Sequence, residues 1–568
     1  MQDFFPRTTF LVLGNLLSVI SYQLSVIRYR VSLCNGISLR STFGIWYLTS
    51  GIFFLLFFSQ NAAAITARYR CMWRDNPTTT MVIGWDQVSG SNPVFYYDVN
   101  DNGQRADAYK MSKKADLVVP SRGMNNHFVR LAGLKPNTVY YFVIKDNEGV
   151  SKRFSFKTAP DRPERLSVIA GGDSRNFREA RRSANKLVSK LRPHVVLFNG
   201  DMTPDDTAGE WKKWLDDWQE TIGSDGRIFP VLVARGNHEA SNMSLIELFD
   251  VGSGGVYYAY NLGGNLLRIY TLNTLIPITG EQQKWLENDL QQSSSTTWKI
   301  AQYHHAIRPH TRSKPERDDL ALNWAPLFFK YKVQLGIESD SHVAKWTYPI
   351  RPSNESGSDE GFIRDDERGT VYVGEGCWGA PLRQADDEKS WTRNSGSFNQ
   401  FNWIFVDADK MEIRTVLTDV SENVGELSDN NLFRLPIGLS VWSPSNGDVV
   451  TIYKNPPPMI AAKPKVDNTK VSAAAPEKAK QPAEEDSYGK LQCDGTGKVN
   501  YKYTLERAGN VLILLLDEKF TVLDRQSLNN QLAKSYLRQF DLSDQKKGMY
   551  VIIIKCGDEV VQKYQVSR

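Results

Sequence analysis

Short apolar runs alternate with amphipathic stretches from residue 161 to 454, and this alternation limits the fold more than any other feature of the chain. Apolar runs bounded by turn residues predict buried strands, and the amphipathic segments between them predict helices. The pattern is typical of an α/β layer fold, here with a two-sheet core. Strands are predicted at 166–170, 195–198, 229–234, 266–272, 298–303, 333–337, 370–373, 403–406 and 449–453. Helices are predicted at 179–191, 210–221, 281–292 and 320–331.

Polar side chains follow five of the predicted strands, at the point where each strand ends. The carboxyl ends of strands in an open α/β sheet are where such folds place their sites. One Gly-Asp pair at a strand end is usually a turn, but five successive ends with oxygen or nitrogen ligands indicate a metal centre. Two neighbouring divalent ions need a bridging carboxylate and a mixed set of oxygen and imidazole ligands. The candidate ligands are Asp173, Asp201, Asn237, His304, Asp340 and His342.

The rest of the chain divides into further units, since 568 residues are too many for one ordinary domain. Residues 65–160 read as strands and turns and predict a small β-sandwich. Residues 455–488 are rich in Pro, Ala and Lys and predict a linker. Residues 489–568 return to strands and predict a separate small β domain.

Residues 1–64 predict a leader. Arg40 precedes an apolar run at 43–58, and Ala62 to Ala64 follow it, which is the order of a secretory signal cleaved after Ala64. A signal anchor is the alternative, but the run is short for a membrane span. A short sequence repeat at 18–22 and 25–29, upstream of the signal, indicates that the true start lies after Met1. We expect an exported protein.

The net charge and the cysteine content argue against several classes of binding partner and site. The net charge of +5 gives no sign of a nucleic-acid or polybasic membrane partner. Five cysteines without a CxxC pair do not support a zinc ribbon or a redox motif. Cys493 and Cys556 fall in one unit, where they can form a disulfide or remain as separate thiols.

The strand-end motifs, together with the sandwich ahead of them, resemble the calcineurin-like metallophosphoesterases and more closely the purple acid phosphatases. The resemblance covers about 65–454, makes the sandwich fibronectin type III-like, and places Tyr140 at a corner where its hydroxyl reaches the backbone. It implies that one metal is held by Asp173 and His342, the other by Asn237, His304 and Asp340, with Asp201 as the bridge and His238 facing the substrate.

Two positions depart from that family. Pro204 stands where a tyrosine would bind ferric iron, so the protein is expected not to be purple. Asp340 stands where an imidazole is expected, and its hard oxygen favours Mn²⁺, Mg²⁺ or Ca²⁺ over Zn²⁺ at the second position. The expected cofactors are two divalent ions among Mn, Mg, Fe, Zn and Ca, with a pH optimum above that of an acid phosphatase. A decayed, metal-free relative is the alternative.

The expected reaction is hydrolysis of phosphate mono- or diesters by in-line attack of a metal-bound hydroxide. His238 or His310 would protonate the leaving group. Arg175, Arg308 and His305 would contact the substrate, the arginines by pairing with phosphate oxygens. The competing hypothesis is a catalytically inactive surface binding protein on a phosphoesterase scaffold.

The C-terminal unit resembles the sorting domains that the type IX secretion system of Bacteroidetes reads. The residues that carry this resemblance are 540–543, 548–554 and 560–568. It implies a bacterial protein that is secreted or held on the outer cell surface, with the secretion machinery as a partner beside the phosphate ester substrate.

Overall fold

The computed structural model describes residues 65–455 continuously. In the C-terminal region it describes 489–494, 496–505, 509–517, 522–532, 534–543, 545–556 and 559–568. The predicted leader at 1–64 and all but the first residue of the predicted linker lie outside the described residues. In the described part of the chain, no helix is both long and apolar enough to cross a membrane.

The N-terminal unit is the predicted β-sandwich. Its two four-stranded sheets run in the orders β1-β2-β6-β5 and β4-β3-β7-β8. The strands are β1 Thr66–Met72, β2 Met81–Gln87, β3 Val94–Asp98, β4 Met111–Lys113, β5 Leu117–Ser121, β6 Met124–Leu131, β7 Val139–Lys145 and β8 Phe154–Lys157. The Tyr140 hydroxyl accepts a hydrogen bond from the Lys135 amide at 2.8 Å, which confirms the predicted corner.

The central unit has the predicted two-sheet core, with mixed α and β structure. Its strands are β9 Leu166–Gly171, β10 Val195–Phe198, β11 Val231–Val233, β12 Tyr258–Leu262, β13 Leu267–Thr271, β14 Trp298–His305, β15 Leu335–Ser339, β16 Ala344–Thr347, β17 Ile350–Pro352, β18 Phe362–Arg364, β19 Val371–Gly374, β20 Thr392–Gly396, β21 Gln400–Val406, β22 Lys410–Leu417 and β23 Val450–Tyr453. One sheet runs β11-β10-β9-β21-β22-β23, the other β12-β13-β14-β15-β19-β16-β20, and β17 pairs with β18. The apolar faces of the two main sheets share one buried cluster, which also includes side chains of the sandwich.

Five α-helices cover the outer faces of the sheets: α1 Arg178–Leu191, α2 Ala208–Trp218, α3 Asn242–Phe249, α4 Glu281–Gln292 and α5 Asp318–Lys330. Four match the predicted helices closely, and α3 was not predicted. On α2, Trp211, Trp214 and Trp218 share one face and are buried under the first sheet. Their spacing places them on one side of the helix because an α-helix turns once in 3.6 residues.

The sandwich is tied to the central unit by ion pairs as well as apolar contacts. Asp250, directly after α3, accepts two hydrogen bonds from the Arg130 guanidinium, each at 2.7 Å. Arg74 contacts the same carboxylate at 3.1 Å. Arg122 pairs with Asp206 at 2.7 Å. The described orientation of the sandwich therefore rests on charge pairs at the end of α3 and before α2.

The C-terminal region forms sheets of its own, in the orders β24-β30-β29-β26-β27 and β25-β28. The strands are β24 Gly489–Gln492, β25 Lys498–Thr504, β26 Gly509–Leu516, β27 Val522–Gln531, β28 Ser535–Asp541, β29 Met549–Cys556 and β30 Glu559–Ser567. Their buried side chains form a separate cluster. Cys493 and Cys556 are both free thiols here. The assignment as a sorting domain stays a prediction.

Candidate metal centre

The predicted ligands converge because parallel strands end together. In the first sheet, β9, β10 and β11 run parallel, and Asp173, Asp201 and Asn237 follow them in that order. In the second sheet, β14 and β15 run parallel. His304 is the second-last residue of β14, and Asp340 follows β15 directly. The carboxyl edges of the two sheets thus supply the two sides of one site.

Two groups of possible ligands form there. The ligand atoms of Asp173, Asp201 and His342 lie within 4.8 Å of one another. The same limit joins His304, His305 and Asp340 in a second group. Asp201 Oδ1 lies 3.3 Å from His304 Nε2 and thereby links the groups. This is the position expected of a bridging carboxylate.

Asn237 joins the second group through its side-chain oxygen. Its Oδ1 lies 2.9 Å from His304 Nε2, and the same nitrogen lies 3.6 Å from Asp340 Oδ1. All six residues predicted as ligands are therefore brought together. His305, predicted to contact substrate, instead contributes a possible ligand atom to the second group.

Unusual backbone conformations hold this arrangement. Asp173, Asp201, Asp340 and His342 have positive φ angles of 57°, 56°, 72° and 57°. Side chains with a Cβ rarely adopt this left-handed region, and such residues persist only where the surrounding structure imposes it. The fold thus imposes a rare conformation on four of the six predicted ligands, as functional sites often do.

The imidazoles are oriented as metal ligands usually are. His304 Nδ1 donates to the Asn199 carbonyl at 2.8 Å, and His342 Nδ1 donates to the Pro381 carbonyl at 2.7 Å. A backbone carbonyl on Nδ1 fixes the tautomer and leaves the Nε2 lone pair for a cation. His342 Nε2 then lies 3.3 Å from Asp173 Oδ1, a buried oxygen without a hydrogen-bond partner in the structure.

The buried carboxylates of the cluster favour a positive charge beside them. Burial alone would lower the pKa of His304, but the carboxylates of Asp201, Asp340 and Asp173 raise it to about 10. Burial alone would raise the pKa of Asp340, but His304 and Lys314 hold it well below its usual range. Burial likewise opposes ionisation of Asp173, while His342 lowers its pKa. Burial and the neighbouring His304 lower the pKa of His305 to about 3. Oxygen and imidazole donors in such surroundings fit divalent cations.

Glu239 stabilises the backbone that carries the predicted ligands, a role that the sequence did not indicate. Its buried carboxylate accepts hydrogen bonds from the amides of Asp201, Met202 and Gly236 at 3.0, 2.8 and 2.8 Å. Burial, reinforced by the charge of Asp201, raises the pKa of Glu239 to about 7. Glu239 thereby joins the loops after β10 and β11.

Three cationic side chains contact the cluster. Arg175, predicted to bind substrate, has Nε 3.3 Å from Asp201 Oδ2 and Nη2 3.3 Å from His342 Nε2. Lys314 lies 2.5 Å from Asp340 Oδ1. Arg383 donates to the Asp340 carbonyl at 2.9 Å. Neither Lys314 nor Arg383 was predicted, because both reach the site from loops outside the strand-end motifs.

His238 has the position expected of a group that faces substrate. Its Nδ1 hydrogen-bonds to the Pro204 carbonyl, and its amide donates to Asp201 Oδ1 at 2.9 Å. Its Nε2 lies 3.7 Å from Asp201 Oδ2, and the side chain is 27% exposed. The ring therefore borders the cluster and remains accessible.

Two predicted residues do not have the surroundings that their predicted roles require. The Arg308 guanidinium bonds to the Glu360 carbonyl at 2.7 Å and to Asp318 at 2.8 Å. His310 is fully buried, with its amide on Glu375 and its Nε2 on Thr392. Both predictions therefore need correction. The two side chains stabilise the loop after β14, and the hydrogen bonds described for them go to residues outside the two ligand groups.

Comparisons with known proteins agree with this geometry. Residues 67–158 match the family model of the purple acid phosphatase N-terminal domain, and residues 171–344 match that of the calcineurin-like phosphoesterases. An uncharacterized protein of Mycobacterium tuberculosis is 22% identical over 358 residues, which cover 52% of this chain and 66% of that protein. Purple acid phosphatase 15 of Arabidopsis thaliana is 26% identical over 222 residues, covering 31% of this chain and 41% of its own length.

A solved structure shares the fold. A purple acid phosphatase from yellow lupin (Lupinus luteus) seeds superposes with a TM-score of 0.52 at 15% identity, covering 68% of this chain and 74% of that chain. The chain spans less than two thirds of the length of each of the curated relatives named above. Residues 171–344 are thus similar to the calcineurin-like phosphoesterases, and residues 67–158 are similar to the N-terminal domain of purple acid phosphatases.

Proposed function

We propose that this protein is an exported, binuclear metal-dependent phosphoesterase that hydrolyses phosphate mono- or diesters. The observation that supports the proposal most strongly is the pair of ligand groups joined through Asp201. Together they supply carboxylate, amide and imidazole donors, all at the carboxyl edges of two facing sheets. The calcineurin-like family match covers this same part of the chain.

The two positions divide the ligands between them. Asp173, Asp201 and His342 would hold one cation, and Asn237, His304 and Asp340 the other, with His305 beside them. Divalent cations held there would supply Lewis-acid chemistry for the phosphoryl group and its nucleophile. The carboxylate of Asp340 favours hard ions, so we propose Mn²⁺, Mg²⁺ or Ca²⁺ in preference to Zn²⁺ at the second position.

Side chains around the cations bind and orient the ester. The Arg175 guanidinium is mostly buried beside Asp201 and can pair with two phosphoryl oxygens through parallel hydrogen bonds. The Pro204 carbonyl holds the Nδ1 hydrogen of His238, so the ring in its imidazolium form can donate a proton from Nε2 to the leaving oxygen. Glu239 keeps the loops that carry Asp201 and His238 at a fixed separation.

The proposal includes the route out of the cell. The order of charged, apolar and small residues before Ile65 supports export through a leader. The resemblance of the C-terminal strands to a sorting domain supports secretion to the outer surface of a bacterium. A catalytically inactive binding protein is not favoured, because the ligands are brought together with Nε2 atoms turned toward carboxylates.

Hydrolysis of a panel of phosphate mono- and diesters by wild type and Asp201→Asn tests the proposal. Loss of the bridging charge should lower kcat by at least about a hundredfold on the scale found for groups that stabilise transition-state charge. Asp107→Asn is a matched control, because that side chain is 85% exposed on the sandwich. Equal turnover by wild type and Asp201→Asn would overturn the assignment.

A further inference from the structure

The Lys314 ammonium contacts a carboxylate oxygen of Asp340, which is a predicted metal ligand. Its ammonium lies 2.5 Å from Oδ1 of Asp340, the oxygen that also lies 3.6 Å from His304 Nε2. The Lys314 side chain is 19% exposed and that of Asp340 is 8% exposed. The pair is therefore shielded from bulk water, and its attraction is stronger than that of a surface pair.

The loop between β14 and α5 brings the Lys314 side chain to the site. Lys314 follows β14 and precedes α5, and its amide donates to the Thr311 carbonyl at 3.2 Å in a local turn. The hydrogen bond that the structure records for its ammonium goes to Asp340. Arg175 differs, because it divides longer contacts of 3.3 Å between Asp201 and His342.

Charge balance separates the two metal positions. Three carboxylates line the centre, those of Asp173, Asp201 and Asp340, and two cationic side chains, Arg175 and Lys314, contact their oxygens. With the His304 imidazole neutral, as a ligand must be, one divalent ion is enough to reverse the single negative charge that remains over these five side chains. A second ion next to Asp340 must bind against the Lys314 ammonium or displace it, and either event costs binding energy.

We propose that Lys314 is a built-in counter-cation of the second metal position. It neutralises Asp340 while that position is empty and weakens the position for divalent ions. The two ions therefore bind in sequence, first at Asp173, Asp201 and His342, then at Asn237, His304 and Asp340. Lys314 acts through Asp340 and is a positioning residue. The inference rests on the proposed function, because it concerns the same centre.

Titration of chelator-stripped full-length protein with Mn²⁺, followed by calorimetry, tests this. Wild type should bind two ions with separate affinities. Lys314→Met removes the charge at nearly constant length and should tighten the weaker step by at least about tenfold, since a unit charge a few ångströms from a divalent ion is worth that even at the dielectric of water. The tighter step should stay unchanged, and Lys314→Arg should behave as wild type.

A second readout and a control separate this effect from general damage. Electron paramagnetic resonance should detect a coupled Mn²⁺ pair at a lower Mn²⁺ concentration in Lys314→Met than in wild type. Lys330→Met removes an exposed ammonium at the end of α5 that is paired with Glu287 of α4, and it should leave both steps unchanged. Lys314→Gln provides a second neutral variant where Lys314→Met folds poorly.

The outcomes distinguish this inference from the proposed function. Two Mn²⁺ ions that bind with affinities indifferent to the charge at position 314 would overturn the role of Lys314 and leave the metal centre standing. A weaker second step in both neutral variants would also overturn it. No Mn²⁺ binding by wild type would contradict the proposed function itself, and the inference with it.

Discussion

Individual residues at the centre are held by close backbone packing, and Gly376 shows this most clearly. A Cβ at Gly376 would lie 2.0 Å from Asp173 Oδ2, and the residue has a φ of +92°. The same Asp173 oxygen accepts the Asp340 amide at 2.9 Å. A side chain at this position therefore displaces Asp173 and disturbs the hydrogen bond between Asp173 and the Asp340 amide.

We expect Gly376→Ala to weaken Mn²⁺ binding by about 10- to 100-fold, the scale found for groups that orient metal ligands. Gly209→Ala is the matched control, because a Cβ there meets nothing within 4 Å and lies in the first turn of α2. The control should bind Mn²⁺ normally and gain up to about 1 kcal/mol of stability. Wild-type affinity in Gly376→Ala would show that Asp173 does not need this packing.

The strand-end motifs predicted which candidate ligands come together, but they did not predict the side chains around them. Asp173 and Asp201 were predictable because each follows an apolar strand, and parallel strands bring their ends together. Lys314 and Arg383 were not, because the paths of their loops depend on long-range contacts. His310 was assigned by its closeness to His304 in sequence, whereas the loop turns it toward Glu375.

At the scale of elements, a buried charge cluster joins the strands beneath the centre. Lys345 on β16 lies 2.5 Å from Glu338 on β15 and 2.5 Å from Glu375 after β19. All three side chains are buried, and the Glu375 carbonyl accepts the His342 amide at 2.8 Å. The cluster thus connects three strand ends to a predicted ligand.

Lys345→Met should destabilise the central unit by about 3–5 kcal/mol, because removing one partner leaves buried charges uncompensated. Thermal unfolding of the purified variant measures the effect. Lys330→Met removes an exposed pair and should cost no more than about 1 kcal/mol. Similar melting temperatures for the two variants would contradict the role given to the cluster.

The amino-terminal end of β10 carries a pH-sensitive histidine. His194 precedes β10, and its Nδ1 accepts the Ser167 amide of β9 at 3.0 Å. Burial, reinforced by Lys157, lowers the pKa of His194 to about 4. The unfolded chain, with an ordinary pKa near about 6.5, then binds more protons between these values, so stability is fully present above pH 6.5 and falls as the pH drops toward 4.

His194→Gln should lose this component of acid sensitivity. Between about pH 6.5 and 4, wild type should lose on the order of 2 kcal/mol more than the variant, visible as a larger drop in melting temperature. Parallel pH profiles for the two proteins would show that His194 is not responsible.

Elements were predictable where the periodicity was strong. The helix at Glu281–Gln292 and the strand at Val195–Phe198 have the predicted bounds. The helix Asn242–Phe249 was missed because eight residues are too few to establish a helical period, and it is stabilised by burial of Leu245, Leu248 and Phe249.

At the scale of the whole molecule, the described residues include a hydrophobic core that joins the sandwich to the central unit and a separate core in the C-terminal region. The sandwich and the two central sheets share one buried cluster, whereas the buried side chains of the C-terminal strands form their own. We expect a chain ending at residue 455 to keep the melting temperature and metal content of the central unit. A fall of more than a few degrees would show that the C-terminal strands stabilise it.

The central claim is that the two sheet edges form a metal-dependent hydrolytic centre. Its most direct test is elemental analysis and phosphoesterase activity of the same samples of wild type and Asp201→Asn, before and after chelation and reloading with Mn²⁺. We predict that wild type holds divalent metal, loses activity on chelation and regains it on reloading. Asp201→Asn should hold less metal and gain no activity on reloading. Wild type that hydrolyses phosphate esters equally well without metal, or that binds no more metal than Asp201→Asn, would contradict the account.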